Sequence, residues 1–337
     1  MGAAEKSRGT HGGMHESQQQ RLRAKGERHM LYEDQFASSN GRDQVQYWIY
    51  VPAAKPKGVI QLIHGFGEHA RRYLHMIARF VEAGYVVAAD DHVGHGKTAI
   101  VNEGTWGDWG DAGFETMVDD EHLLTGRVRQ LFSDVPYFLF GHSMGSVIAR
   151  QYIARFGGEL AGVTLCGTCG DFPTAEAEAM LQKDIKAGKE LETDAEAAGV
   201  AMGWMGERCG EVKLGNEWIC HDPYVQVDHA NDPFDAFTKP TTNRSLLYFM
   251  QMIDDVKGTE WAEKVPTELP IYSIAGDQDP FGGYASGVYQ VSNWLYDTGH
   301  SIKTKVYPGY RHEIHNYKEI KDEVEEGVIA FFDEQIK

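Results

Sequence analysis

No stretch of this 337-residue chain approaches the roughly 20 consecutive apolar residues that a membrane-spanning helix needs. The N-terminus also lacks the apolar core of a secretory signal, so the compartment to expect is the cytoplasm. Met1-Gly2 opens like a myristoylation site, but Lys6 stands where serine or threonine is required. Positive charge is in short supply: 32 Lys and Arg stand against 50 Asp and Glu, a formal net charge of -18. That excess disfavours nucleic acid as a partner and opposes electrostatic docking on anionic lipid, leaving only apolar contact with a membrane surface. Four cysteines are too few for a disulfide framework at this length. Cys166 and Cys169 have the spacing of half a zinc site, but Cys209 and Cys220-His221 do not complete it, so neither metal nor cofactor is expected.

What is present is organised in three parts. Residues 1–30 are polar, rich in Gln, Gly and Arg, without apolar periodicity, and read as a disordered tail in which Met14 or Met30 is an alternative start. Residues 31–169 and 269–337 alternate short apolar runs with helical periodicity, the pattern of an α/β fold with a mostly parallel sheet flanked by helices. Strands are expected at 47–51, 59–63, 85–89, 137–140, 162–165, 271–274 and 304–307. A helix after residue 72 should bury Tyr73, Leu74, Ile77, Phe80 and Val81, and a closing helix should begin with Asn316 as N-cap and Glu319 three residues on. Between 170 and 268 the strand rhythm stops, and an inserted helical cap is expected there. Its apolar residues Val200, Met202, Trp204 and Met205 suit the cap's own core, a substrate groove or contact with lipid. Leu246 to Met252 read as a buried helix.

Chemistry concentrates at Gly141-His142-Ser143-Met144-Gly145. A serine hydroxyl is a poor nucleophile at neutral pH and needs a base beside it and donors for the developing oxyanion. The apolar strand Tyr137 to Phe140 precedes the motif and a helix-compatible run follows, which is the strand–turn–helix setting that exposes a nucleophilic serine. The oxyanion donors should be the N–H of Met144 and that of Phe66, in the His64-Gly65-Phe66-Gly67 loop after an earlier strand. Later strands lead into Gly276-Asp277-Gln278-Asp279 and Pro308-Gly309-Tyr310-Arg311-His312, which offer Asp279 as acid and His312 as base. Asp277 is the rival acid, and His300 and His315 are rival bases.

The motifs His64-Gly65-Phe66-Gly67-Glu68-His69, Arg72-Tyr73, Asp91-His92-Val93-Gly94-His95-Gly96 and Gly141-His142-Ser143-Met144-Gly145 resemble the monoacylglycerol lipase and lysophospholipase branch of the α/β-hydrolases. The resemblance is good over 31–168, moderate over 270–337 and loose in the cap. It implies a triad of Ser143, Asp279 and His312, oxyanion donors Phe66 and Met144, and Glu68, Arg72 and His315 as a charged group bracing the His312 loop. It implies hydrolysis of a carboxylic ester, a monoacylglycerol or lysophospholipid, through an acyl-serine intermediate. Thioesterase, peptidase and C–C hydrolase chemistry remain open on the same site, as does a non-catalytic ligand-binding role. Ser146, where the branch has glycine, and Thr98, in place of a serine, depart from the pattern.

Overall fold

A computed structural model describes residues 30–237 and 239–336, and the expected tail and its alternative start Met14 lie outside them. Eight strands form one sheet in the order β1-β2-β4-β3-β5-β6-β7-β8: β1 Leu31–Ala37, β2 Gln44–Tyr50, β3 Gly58–Ile63, β4 Tyr85–Asp91, β5 Tyr137–His142, β6 Gly162–Cys166, β7 Ile271–Gly276 and β8 Ile302–Tyr307. β2 pairs antiparallel with both β1 and β4, and the remaining pairs are parallel. β1 has no counterpart among the expected strands, because LYEDQFA is an edge strand that buries only Phe36 well and carries a weak apolar signal.

The central strands are covered on both faces, so their side chains divide by parity between two cores. In β3, Val59 and Ile63 enter one core while Ile60 and Leu62 enter the other. Each such fully buried aliphatic chain contributes about 1.5–3 kcal/mol relative to exposure. The helices follow as α1 Leu74–Glu82, α2 Gly96–Val101, α3 Glu115–Leu131 and α4 Met144–Phe156. Helix α1 buries Met76, Ile77 and Phe80, whereas Leu74, expected on that face, is 50% exposed.

The described residues between β6 and β7 form five α-helices and no strand: α5 Ala175–Lys186, α6 Ala195–Met202, α7 Pro223–Asn231, α8 Asn243–Asp255 and α9 Gly258–Ala262. α8 is the apolar segment foreseen around Leu246 to Met252. It packs on α4 directly behind the serine turn and buries Leu246, Phe249, Met250 and Met252. Helices α10 Ser286–Asp297 and α11 Lys321–Asp333 complete the chain. The expected N-cap at Asn316 is corrected: α11 begins five residues later, and Asn316 lies in a short 3-10 turn. There its amide donates to Glu313 at 2.7 Å, a local bond that outcompetes helix capping. No described helix is long and apolar enough to cross a membrane.

Candidate active site

The chain order of the strands reverses around β3, with β4 on one side and β5 on the other, so a crevice opens at their C-terminal ends. Ser143 stands there between β5 and α4 with φ 55° and ψ -123°, a conformation costly for a residue with a side chain. The glycines two positions either side permit that turn. A Cβ on Gly145 would sit 2.1 Å from the Ile63 carbonyl oxygen and 2.6 Å from that of His64, and one on Gly141 would sit 2.3 Å from the Gly145 carbonyl oxygen. All these obstacles are backbone. Gly145→Ala is therefore expected to push β3 and α4 apart, lowering the melting midpoint and costing about 100-fold in kcat through a displacement near 1 Å. Activity and midpoint both at wild-type values would show that the strand and helix are not held this tightly.

Two loops carry the partners. After β7 comes Asp279 and after β8 comes His312, and the loops are tied together by Asp277 N–H to Tyr307 C=O (3.1 Å) and Gln278 N–H to Tyr310 C=O (2.9 Å). Asp279 Oδ2 lies 2.9 Å from His312 Nδ1, off the line of an ideal N–H donor, while Asp279 Oδ1 accepts from the Phe281 N–H at 2.9 Å. Burial alone would lower the His312 pKa, but the Asp279 charge and contact outweigh it and leave it above the ordinary imidazole value. His312 Nε2 has no hydrogen-bond partner among the described residues, and the ring lines the same cavity as Ser143 and Phe66.

The rivals are engaged elsewhere. Asp277 Oδ1 accepts the Gly309 N–H at 2.7 Å, which makes it a turn-capping group. His300 is held by the carbonyls of Leu295 (3.0 Å) and Val265 (2.9 Å), at the opposite end of β8 from His312. Met144 opens α4, so its N–H has no carbonyl of its own helix to meet, and Ser146 and Val147 take the Ser143 carbonyl instead. The Ser146 hydroxyl adds a 2.6 Å bond to that same carbonyl.

Around the loop of His312 lies a buried ionic cluster. Glu68 accepts from the Gly65 N–H and the Tyr73 hydroxyl, each at 2.6 Å, and its second oxygen takes Arg72 Nε at 3.2 Å. Arg72 also grips both oxygens of Glu313, at 3.0 and 2.9 Å. Burial raises the Glu68 pKa, yet the His142 contact and the Arg72 charge more than reverse this and hold it well below the usual carboxylate range.

Here the expectation for His315 needs correcting. Its ring stacks on Tyr73 with centroids 4.9 Å apart and meets His142 edge-on at 4.6 Å, and neither ring nitrogen has a hydrogen-bond partner among the described residues. Burial pushes its pKa far down, so it is a neutral packing ring. Beside Glu68, the charge that pairs with Arg72 in this loop belongs to Glu313, which sequence reasoning missed although it adjoins His312. Trp218, packed on His312 at 5.0 Å from within the cap, was also missed, because nothing in its neighbourhood marks it. Cys166, for its part, lies with His142 and His315 instead of with Cys169, and burial keeps it a protonated thiol.

The cavity over Ser143 has a volume of about 420 Å³. Its walls include Met202, Met205, Leu246, Phe249 and Phe281 from the cap and the loop after β7, with Glu68, His229 and Glu313 on its polar side. Met202 and Met205 thus line this cavity, and both, with Val200 and Trp204, also pack in the adjoining core.

Residues 54–319 match the serine aminopeptidase S33 family, most of the chain and the whole of this site. The chain belongs to that family. It is similar to a monoacylglycerol lipase of Mycolicibacterium smegmatis, 28% identical over 300 residues that cover 86% of this chain and 92% of that protein. It is also similar to human monoglyceride lipase, 35% identical over 36% of this chain and 37% of that one. Among solved structures, a highly thermostable carboxyl esterase from Bacillus coagulans in complex with glycerol superimposes with a TM-score of 0.89 at 57% identity, over 92% of this chain and 100% of its own. A lipase in open form follows with 0.85 at 36%, over 91% and 99%. The fold is that of the α/β-hydrolases, in the monoacylglycerol lipase-like branch.

Among the described residues, Arg72 is the one cation in contact with the carboxylates of both Glu68 and Glu313. Removing it leaves two buried carboxylates uncompensated, and both already raise the proton affinity of His312. Arg72→Ala should cost about 3–5 kcal/mol of stability, read by denaturant unfolding, and should move the acid limb of kcat/KM to higher pH. Arg72→Lys should recover part of both. Hydrolysis and pH profile unchanged in Arg72→Ala would show that the cluster does not brace the His312 loop.

Proposed function

We propose that this chain hydrolyses carboxylic esters through an acyl intermediate on Ser143, with a monoacylglycerol or lysophospholipid as substrate. The observation that carries the reading is that Ser143, His312 and Phe66 share one cavity with a largely apolar wall, in a chain whose relatives include a carboxyl esterase and monoacylglycerol lipases. The volume of about 420 Å³ falls within the range of about 300–1,000 Å³ usual for small-ligand sites.

In this mechanism His312 takes the Ser143 proton as Oγ attacks the ester carbonyl. The oxyanion is received by the N–H groups of Met144 and Phe66, and His312 returns the proton to the leaving alkoxide. Asp279 holds the imidazole and stabilises its charged form. Water then repeats the sequence on the acyl-enzyme, with the carboxylic acid leaving and Ser143 regenerated. The apolar wall of Met202, Met205, Leu246 and Phe249 suits an acyl chain and keeps bulk water from the oxyanion.

A fluorophosphonate probe tests the first half. The wild type should label and Ser143→Ala should not, and a wild type that fails to react would remove the serine mechanism. A chain-length series of p-nitrophenyl esters, monoacylglycerols and lysophospholipids tests the second. A preference for thioesters over oxygen esters would count against the lipase assignment.

A further inference from the structure

Away from the Ser143 cavity, three side chains converge beneath the loop that carries Phe66. Asp90 lies near the end of β4, His92 just past it, and Glu121 reaches across from α3; all three are at most 2% exposed. His92 Nδ1 stands 3.5 Å from Asp90 Oδ1 and 3.4 Å from Glu121 Oε1, and the three donor atoms lie within 4.8 Å of one another. Those separations exceed the roughly 2.7–3.2 Å of N–H···O hydrogen bonds.

The lone pairs are also unanswered. Both oxygens of Asp90 and Glu121 Oε1 have no hydrogen-bond partner among the described residues. Glu121 Oε2 is taken by the Gln61 amide, so Oε1 is the oxygen left to face the cluster. On the far side of the ring, His92 Nε2 lies 3.2 Å from the His64 carbonyl oxygen, which requires a donor and places the proton on Nε2. With the ring neutral, Nδ1 presents a lone pair to the two carboxylates. Three groups with lone pairs turned toward one another in a dry interior need a positive charge between them, and that charge is either a proton or a cation.

We propose that Asp90, His92 and Glu121 bind a first-row divalent cation, best matched by zinc. Metal–ligand bonds of about 2.0–2.1 Å in tetrahedral geometry put neighbouring ligand atoms about 3.4 Å apart, which is the spacing of His92 Nδ1 from both carboxylates. Two carboxylates and a neutral imidazole balance a charge of two and supply three of the four tetrahedral ligands. Calcium asks for about 6–8 oxygen ligands, and this donor set does not provide them.

The ion would act as a brace. His92 also donates its backbone N–H to His64 Nε2 at 3.0 Å, and the two rings stack at 3.8 Å. His64 leads directly into Gly65-Phe66. A cation here would pin α3 to the end of β4 and stiffen the loop that offers the Phe66 N–H.

The test is metal content by mass spectrometry on the full chain purified without a metal-affinity step, followed by unfolding in denaturant with a chelator. Refolding would then be carried out with and without zinc, manganese or cobalt. The expected result is stoichiometric metal in the native protein, a melting midpoint several degrees lower after metal-free refolding, and its recovery with zinc. Cobalt should give the visible absorption of a tetrahedral site. Asp90→Asn and Glu121→Gln should abolish that absorption where they fold. Negligible metal, together with a midpoint indifferent to all three ions, would overturn the proposal and leave the cluster to a proton on His92 or shared between the carboxylates.

Discussion

Ser143→Ala is expected to lower kcat by about 10⁴–10⁶-fold toward good ester substrates, because the oxyanion donors and cavity alone retain only a small part of the rate enhancement. Its fold should survive, since Ser143 is buried in a turn held by backbone groups on either side. Ser143→Gly should lose activity equally but differ in stability. The φ of 55° carries a strain of about 1–3 kcal/mol for any residue with a Cβ, which glycine does not pay, against about 0.5–1 kcal/mol of extra unfolded-state entropy. The glycine variant should therefore unfold at higher denaturant than the alanine variant, by on the order of 1 kcal/mol. Esterase activity retained by either variant would move the nucleophile elsewhere, and an alanine variant the more stable of the two would deny the strain.

The second large effect is expected from Asp279→Asn. The carboxylate holds the His312 ring by Nδ1 and raises its pKa above the ordinary 6.5, so the wild-type kcat/KM should be flat at alkaline pH and fall as pH drops through that raised value. The sign follows from His312 acting as a base, which the protonated ring cannot do. An amide keeps the shape but removes the charge and favours the wrong tautomer. We expect kcat to drop by about 10³–10⁴-fold and the acid limb to move to lower pH. A pH–rate series on both proteins measures this. An acid limb that stays in place would mean that Asp279 does not face the catalytic base, and would return Asp277 to consideration.

Much of this site was legible in the sequence because the local steps are short and rule-bound. An apolar strand, a glycine-flanked serine and a helix give the Ser143 turn within about a dozen residues, and Asp279 and His312 follow strands of plain apolar pattern. The Gly276-x-x-Asp279 spacing acquires a physical meaning in the fold, since a Cβ on Gly276 would sit 2.0 Å from the Tyr310 carbonyl oxygen and hold the His312 loop away. What escaped depends on distant approach. Arg72 meets Glu313 across 241 positions, and a glutamate after His312 looks like any surface acid until that arginine arrives. The family resemblance places His315 in the charged group, and burial decides otherwise. Trp218 lies in a turn ahead of α7, a helix that buries only His229 well, so no periodic pattern points to it.

The separation of the functional pieces along the chain also sets when the site exists. The serine turn rests on β3 and β5 and is tied by the Ser143 N–H to the Cys166 carbonyl at 3.0 Å, so the backbone bonds that hold its bend are supplied by residue 166. His312, Asp279 and Glu313 come from the last fifth of the sequence, and β7 and β8 must join the sheet before they are in place. On the proposed mechanism, a nascent chain emerging N-terminus first thus carries a bent but unarmed serine for a large part of its synthesis. Because the pairings that arm it span long loops, they are the slow ones to close. Reactivity toward fluorophosphonate therefore reports completion of the fold itself, and refolding followed by that label should lag behind recovery of the sheet.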